Sequence, residues 1–188
     1  MKTYIAILRG INVSGYRVIK MADLKVMCAE LGFRDCQTYI QSGNIIFRYG
    51  KAASRELATA IEGKILEKFG FEVPAIVMEV NELKEIIADN PFLSDPSKDK
   101  LRQHVTFLAD YPELDRYNNI RPELYFPVEF RLKGRSIYLY CPEGYSSSKL
   151  TNSFLETKLR VNATTRNWKT TCELLLLAEK TDNQASGI

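Results

Sequence analysis

"DCQTYIQSGNIIFRY", Asp35 to Tyr49, holds two strand-like runs on either side of a turn signal. In Asp35–Gln41 the side chains of Cys36, Thr38 and Ile40 alternate with polar neighbours, the period of a strand with one exposed face. Ser42-Gly43 reads as a two-residue turn, because glycine takes the positive φ of a tight hairpin without steric cost. Asn44–Tyr49 is the more apolar return strand.

Working outward, Thr3–Leu8 ("TYIAIL") is nearly all apolar, which suits a strand buried on both faces. Met21, Leu24, Met27, Cys28 and Leu31 recur at helical spacing, and Gly32 follows as the stop. Leu57, Ile61, Ile65, Leu66 and Phe69 mark a second helix ended by Gly70. Glu72–Met78 ("EVPAIVM") is a fourth strand, which Pro74 assigns to a sheet edge. The order βαββαβ is the split βαβ, or ferredoxin-like, pattern. The apolar first and third strands are expected side by side at the centre, running parallel. The loop after Gly10 and the Ser42-Gly43 turn are then expected at opposite ends of the sheet.

The fold class predicted is α+β: a ferredoxin-like half over residues 1–90, which includes a helix from Asn81, then a smaller α+β half. Residues 91–103 carry two prolines and many charges and read as a connector. Residues 104–180 read as a strand ("HVTFLA"), a short helix in a Pro-punctuated segment, a hairpin ("VEFRLKGRSIYLYCP") and two closing helices. This half is either unrelated to the first or a degenerate copy whose last strand has become a helix. Residues 181–188 read as a disordered tail.

The chain has 188 residues, a net charge of +3, 45% hydrophobic and 26% charged residues, ordinary values for a soluble globular protein. A dedicated nucleic-acid binder is usually more basic. No apolar run approaches the length of a membrane span, and the five-residue run near the N-terminus is short for a signal peptide. Cys28, Cys36, Cys141 and Cys172 include no C-x-x-C pair, so reduced thiols, no disulfide and a cytoplasmic setting are expected. His104 is the only histidine and has no cluster of Cys or carboxylates around it in sequence, so no metal site is expected. "RGINVSGYR", Arg9 to Arg17, is neither a P-loop nor a G-x-G-x-x-G loop, so no cofactor is expected, although Arg9 and Asn12 are candidates to hold an anion. No paired carboxylates and no Cys–His or Ser–His set with a recognisable context is visible, so catalytic residues stay unassigned.

The densest chemistry lies in "SSSKLTNSFLETKLRVNATTRNWKT", Ser146 to Thr170, read as two consecutive helix starts. A helix start leaves backbone N–H groups unpaired and carries partial positive charge. Capping needs one hydroxyl per helix, with Ser148 and Thr164 or Thr165 the candidates. Here the first start offers Ser146, Ser148, Lys149 and Asn152, and the second Thr164, Thr165, Arg166, Asn167 and Lys169. A cation at a helix start opposes the dipole, and a shared anion would reverse that conflict. The reading is a small phosphorylated or otherwise anionic ligand held between paired helix starts. The alternative is a nucleic-acid binder using the same helices as a helix-turn-helix.

"YIAILRGINVSG", "KMADLK", "LGF", "TYIQSGNIIF", "FGFEVP", "NPF", "HVTFL", "IYLYCPEG", "SKLTN" and "ATTRNW", in this order, resemble the segments of a bacterial family of unknown function, DUF1697. The resemblance runs from about Tyr4 to about Ala178. It implies a small cytosolic α+β protein of ferredoxin-like character with no established activity, and it brings no catalytic residues.

Overall fold

In the computed structural model, which describes residues 1–186, the first half of the chain forms β1 (Lys2–Leu8), α1 (Met21–Glu30), β2 (Arg34–Tyr39), β3 (Asn44–Tyr49), α2 (Ser54–Phe69) and β4 (Ala75–Glu79). Then follow α3 (Val80–Ala88), β5 (Gln103–Leu108), α4 (Leu114–Asn118), β6 (Glu129–Lys133), β7 (Ser136–Tyr140), α5 (Asn152–Leu159), β8 (Ala163–Asn167) and α6 (Trp168–Ser186). The architecture is α+β, with two four-stranded antiparallel sheets and six α-helices among the described residues.

The chain divides into two units. The first is Met1–Lys84 together with the chain from Glu173 onward, and the second is Glu85–Cys172. In the first unit the sheet order is β2-β3-β1-β4. The apolar strands β1 and β3 are central, and the polar β2 and the Pro74-flanked β4 are the edges. The central pair is antiparallel, not parallel: Lys2 faces Tyr49 and Ile7 faces Asn44. The reason is the hairpin. A βαβ crossover makes β1 and β2 parallel, so a strand inserted between them and joined to β2 by a turn opposes both.

The same geometry overturns the separation expected for the two loops. Leu8 at the end of β1 lies beside the start of β3, and its N–H donates to Gly43 O at 2.8 Å. The loop after Gly10 and the hairpin turn therefore share one end of the sheet. Asn12 binds them, donating from Nδ2 to Gln41 O at 2.8 Å and to Ile19 O at 3.0 Å while Oδ1 accepts from Ile19 N at 2.9 Å. The turn itself spans Ile40 to Gly43, with positive φ at both ends, and is longer than the two residues expected.

One face of this sheet packs on α1 and α2 through Tyr4, Ala6, Leu8, Ile45, Phe47, Leu24, Met27, Leu57, Ile61 and Ile65, all buried. Burying each large aliphatic side chain contributes roughly 1.5–3 kcal/mol. The end of α6 belongs to the same unit: Gln37 Nε2 donates to Thr181 Oγ1 and Thr3 Oγ1 to Asp182 Oδ1, each at 2.7 Å. Thr181–Ser186, expected in the tail, is thus helical. Gly187 and Ile188 lie outside the described residues.

The second unit repeats the order of the first, β6-β7-β5-β8, again antiparallel throughout. The last strand has not become a helix. Ala163–Asn167 pairs with β5 over five residues, from Leu108 opposite Ala163 to His104 opposite Asn167. Its β-branched threonines suit a half-buried pleated surface, and α6 begins at the next residue. Phe130, Ile137, Leu139, Cys141, Leu150, Leu155 and Leu159 form the core under α5.

Candidate functional site

β8 changes the meaning of the second expected helix start. On a strand, alternate side chains go to opposite faces. Thr165 shares a face with Thr106, its partner across the β5 ladder, and Thr164 and Arg166 take the other face. The Arg166 guanidinium is almost wholly buried and donates to Thr164 Oγ1 at 3.0 Å and to Thr165 O at 2.9 Å. Burial lowers its pKa to about 10, which leaves it charged at neutral pH. Asn167 caps α6, its Oδ1 accepting from Thr170 N at 2.7 Å, and Lys169 is exposed on the first turn of that helix.

The first expected start is also shifted. Ser146 lies in a short 3-10 turn, Tyr145–Ser147, and Ser148 and Lys149 lie in the loop beyond it. The cap of α5 is Thr151, whose Oγ1 accepts from Phe154 N at 3.2 Å. Ser148 is buried; its Oγ accepts from Leu150 N at 3.0 Å and hydrogen-bonds the Cys141 thiol, which burial pushes up to about 11. Lys149 and Arg166 therefore do not oppose helix dipoles, one being in a loop and the other in a strand. A helix-turn-helix is excluded as well, because β8 separates α5 from α6.

Two groupings emerge in the second unit. The first is a polar network around Thr165. Its hydroxyl donates to Asn152 Oδ1 at 2.6 Å, so its lone pairs accept from Tyr145 OH at 3.1 Å and from Thr106 Oγ1 at 2.7 Å. The ring of Tyr145 stacks on His104 with centroids 5.0 Å apart. Burial holds the His104 pKa below its usual value, while a hydrogen bond to the Arg102 backbone acts the other way. His104 Nδ1 is buried and without a hydrogen-bond partner.

The second grouping is a cavity of about 210 Å³ beside the 3-10 turn, lined in part by Ser147. One wall is Leu124, Tyr125, Phe126, Pro127 and Val128; the other is Glu143, Gly144, Ser147, Ser148 and Lys149. Phe126 and Leu124 are exposed at this wall, 85% and 56%. A Cβ on Gly144 would stand 3.4 Å from Arg102 Nη1, so a second cation lies against the loop. Among the described residues neither Lys149 nor Arg102 makes an ion pair. Among those residues there is also no group of three or more His, Cys, Asp or Glu placed to hold a metal ion.

The expected residues thus fall into separate places. Ser148 and Lys149 line the cavity. Asn152 and Thr165 bond each other, as do Thr164 and Arg166. Arg9 and Asn12 belong to the first unit, where Asn12 is spent on holding its loop to the hairpin turn. Sequence reading missed Tyr145 and Thr106, the cavity wall at Leu124–Val128, and Arg102. The prolines at 122 and 127 and the "CPEG" turn at Cys141–Gly144 are the signals that mark these loops.

Comparison with known proteins adds the following. The family described as "Protein of unknown function (DUF1697)" matches residues 1–138. A solved structure, that of the conserved bacterial protein SP0830 from Streptococcus pneumoniae, is similar with a TM-score of 0.74 at 21% identity, covering 94% of this chain and 98% of that one. At that identity the likeness shows the fold alone. No curated protein matches the chain. No helix among the described residues is long and apolar enough to cross a membrane.

Proposed function

Since the chain belongs to the DUF1697 family, whose function is unknown, the reading rests on its own residues, and we propose that it binds a small phosphorylated or otherwise anionic ligand in the cavity of the second unit. The observation that carries this reading is Lys149. It lines the cavity, is exposed, and among the described residues has no carboxylate of its own chain to hold it. Ligand pockets combine apolar walls with a few convergent polar groups, and this one sets Leu124–Val128 against Lys149 and the Ser147 hydroxyl. Glu143 on the polar wall repels a bare anion but accepts from a hydroxyl or amine. The ligand class that satisfies all three features is a phosphate joined to a hydroxyl-bearing and partly apolar body, such as a sugar phosphate or nucleotide. No cofactor enters the reading.

In the same reading each sheet with its two crossover helices is a ferredoxin-like split βαβ unit, and the protein works in the cytoplasm, where four free thiols are stable.

The test is thermal unfolding in the presence of sugar phosphates, nucleotides, inorganic phosphate and duplex DNA. The reading expects stabilisation by a small phosphorylated compound and a weakening of that effect in Lys149→Ala. A charge-assisted hydrogen bond contributes roughly 1.5–3 kcal/mol, about tenfold to a hundredfold in affinity. A response to duplex DNA alone would replace this reading with nucleic-acid binding.

A further inference from the structure

Phe126 and Glu143 line the same cavity of the second unit, each on a turn closed by a backbone hydrogen bond. Phe126 is the second residue of the turn Tyr125–Val128, where Val128 N donates to Tyr125 O at 2.8 Å. Glu143 is the third residue of the turn Cys141–Gly144, where Gly144 N donates to Cys141 O at 2.9 Å. Both turns are anchored in the core. The Tyr125 ring packs edge-on against Phe130 and at a tilt against Phe154, and Cys141 is fully buried. The two side chains themselves are free. Phe126 is 85% exposed and makes no ring contact among the described residues. Glu143 is exposed, and its carboxylate has no hydrogen bond or ion pair among those residues. The cavity, about 210 Å³, is smaller than the roughly 300–1,000 Å³ of pockets that enclose a drug-sized ligand. A ligand held here therefore lies partly outside it, against exposed side chains such as Phe126.

We propose that the occupant is a guanine nucleotide, its base stacked on Phe126 and its base edge read by Glu143. This rests on the reading of the cavity as a site for a phosphorylated ligand, with Lys149 at the phosphate.

The choice of base follows from what a carboxylate accepts. When ionised it has two acceptor oxygens and no proton to give. Two adjacent N–H donors satisfy it, and guanine alone among the common bases carries them, on N1 and N2. Adenine sets its N6 amine beside the N1 lone pair, and cytosine its N4 amine beside the N3 lone pair. With either, one carboxylate oxygen meets a lone pair. Uracil has a single N3–H between two carbonyl oxygens, which the carboxylate repels. A sugar hydroxyl also donates to Glu143, but a sugar has no π-face for the Phe126 ring, whereas every base has one. Guanine is neutral, so Glu143 accepts from it without the repulsion that it exerts on the phosphate.

The experiment is calorimetric titration of the full chain with guanosine, inosine, adenosine and cytidine 5′-monophosphates and with ribose 5-phosphate. A hydrogen bond to a charged group is worth about tenfold or more in affinity. The guanosine nucleotide should bind tightest. The inosine nucleotide, which lacks the N2 amine, should be about tenfold weaker, and the adenosine and cytidine nucleotides weaker still. In Glu143→Gln the side-chain amide accepts from adenine N6 and donates to adenine N1. The ratio of guanosine to adenosine affinity should therefore fall by at least about tenfold, which the loss of a merely structural residue would not produce. Phe126→Ala should weaken the guanosine nucleotide roughly fivefold to a hundredfold and leave ribose 5-phosphate unchanged. Ribose 5-phosphate or the adenosine nucleotide binding as tightly as the guanosine nucleotide, or a base preference unaltered in Glu143→Gln, overturns the guanine proposal and leaves the cavity reading standing. Binding of none of these compounds, or binding indifferent to Lys149→Ala, overturns both.

Discussion

Thr165 Oγ1 lies 2.6 Å from Asn152 Oδ1, and this hydrogen bond ties β8 to the first turn of α5. The hydroxyl has one proton, given to Asn152, and two lone pairs, taken by Tyr145 and Thr106. It is saturated by its own chain and has nothing left for a ligand. Thr165→Val keeps the shape but leaves two donors and one acceptor without a partner. An unsatisfied buried polar group costs about 1–3 kcal/mol. Chemical denaturation should therefore show a loss of about 2 kcal/mol or more for Thr165→Val and under about 1 kcal/mol for Thr165→Ser. A neutral valine variant would mean the network is not formed.

The shared end of the first sheet is testable at Gly43. Its φ is 79°, and an added Cβ would meet Ile11 Cδ1 at 2.6 Å and Leu8 Cβ at 3.0 Å. The left-handed backbone costs a residue with Cβ about 1–2 kcal/mol and overpacking about 1–3 kcal/mol. Gly43→Ala should lose about 2–4 kcal/mol. Gly15 has a φ of 79° as well but open space around it, so Gly15→Ala should lose only the backbone cost, about 1–2 kcal/mol. Equal losses at the two positions would contradict the contact between Ile11 and the hairpin turn.

His104 sets a pH dependence whose sign follows from burial. Its folded pKa lies below 6.5, so the unfolded chain binds the proton more readily. The stability from neutral His104 is complete above the unfolded value and is lost as pH falls through the folded one. Because His104 is the only histidine, its ring proton can be followed by NMR without assignment. The expected midpoint is below 6.5, and His104→Phe should flatten the fall in stability just below pH 6.5. A midpoint at or above 6.5 would contradict the burial argument.

Much of the fold was legible because helices and buried strands leave periodic apolar patterns. Leu57, Ile61 and Ile65 mark α2 at helical spacing, and Gly70 ends it in the left-handed conformation with a φ of 78°. Strand direction was legible but misread: the Ser42-Gly43 turn sets β3 against β2 and the crossover sets β1 along β2, so β1 and β3 must oppose each other, which apolarity alone does not report. β8 was missed for a local reason. It is only five residues long, and the helical series Trp168, Cys172, Leu175 begins immediately after it with no Gly or Pro between. Read backwards, that series absorbs Thr164–Asn167 into a helix. At the candidate site, Ser148 and Lys149 were visible as chemistry in the sequence. Their facing wall, Leu124–Val128, is about twenty residues away along the chain and is brought there only by the β6–β7 hairpin.

The account turns on Lys149 holding an anionic group beside the Leu124–Val128 wall, and a nitrogen-15 NMR titration with a nucleoside monophosphate tests it most directly. The predicted result is saturable shifts centred on the amides of Gly144–Lys149 and Leu124–Val128, with a dissociation constant raised tenfold to a hundredfold in Lys149→Ala. Shifts that leave these two segments untouched, or that are the same in the wild type and in Lys149→Ala, would contradict it.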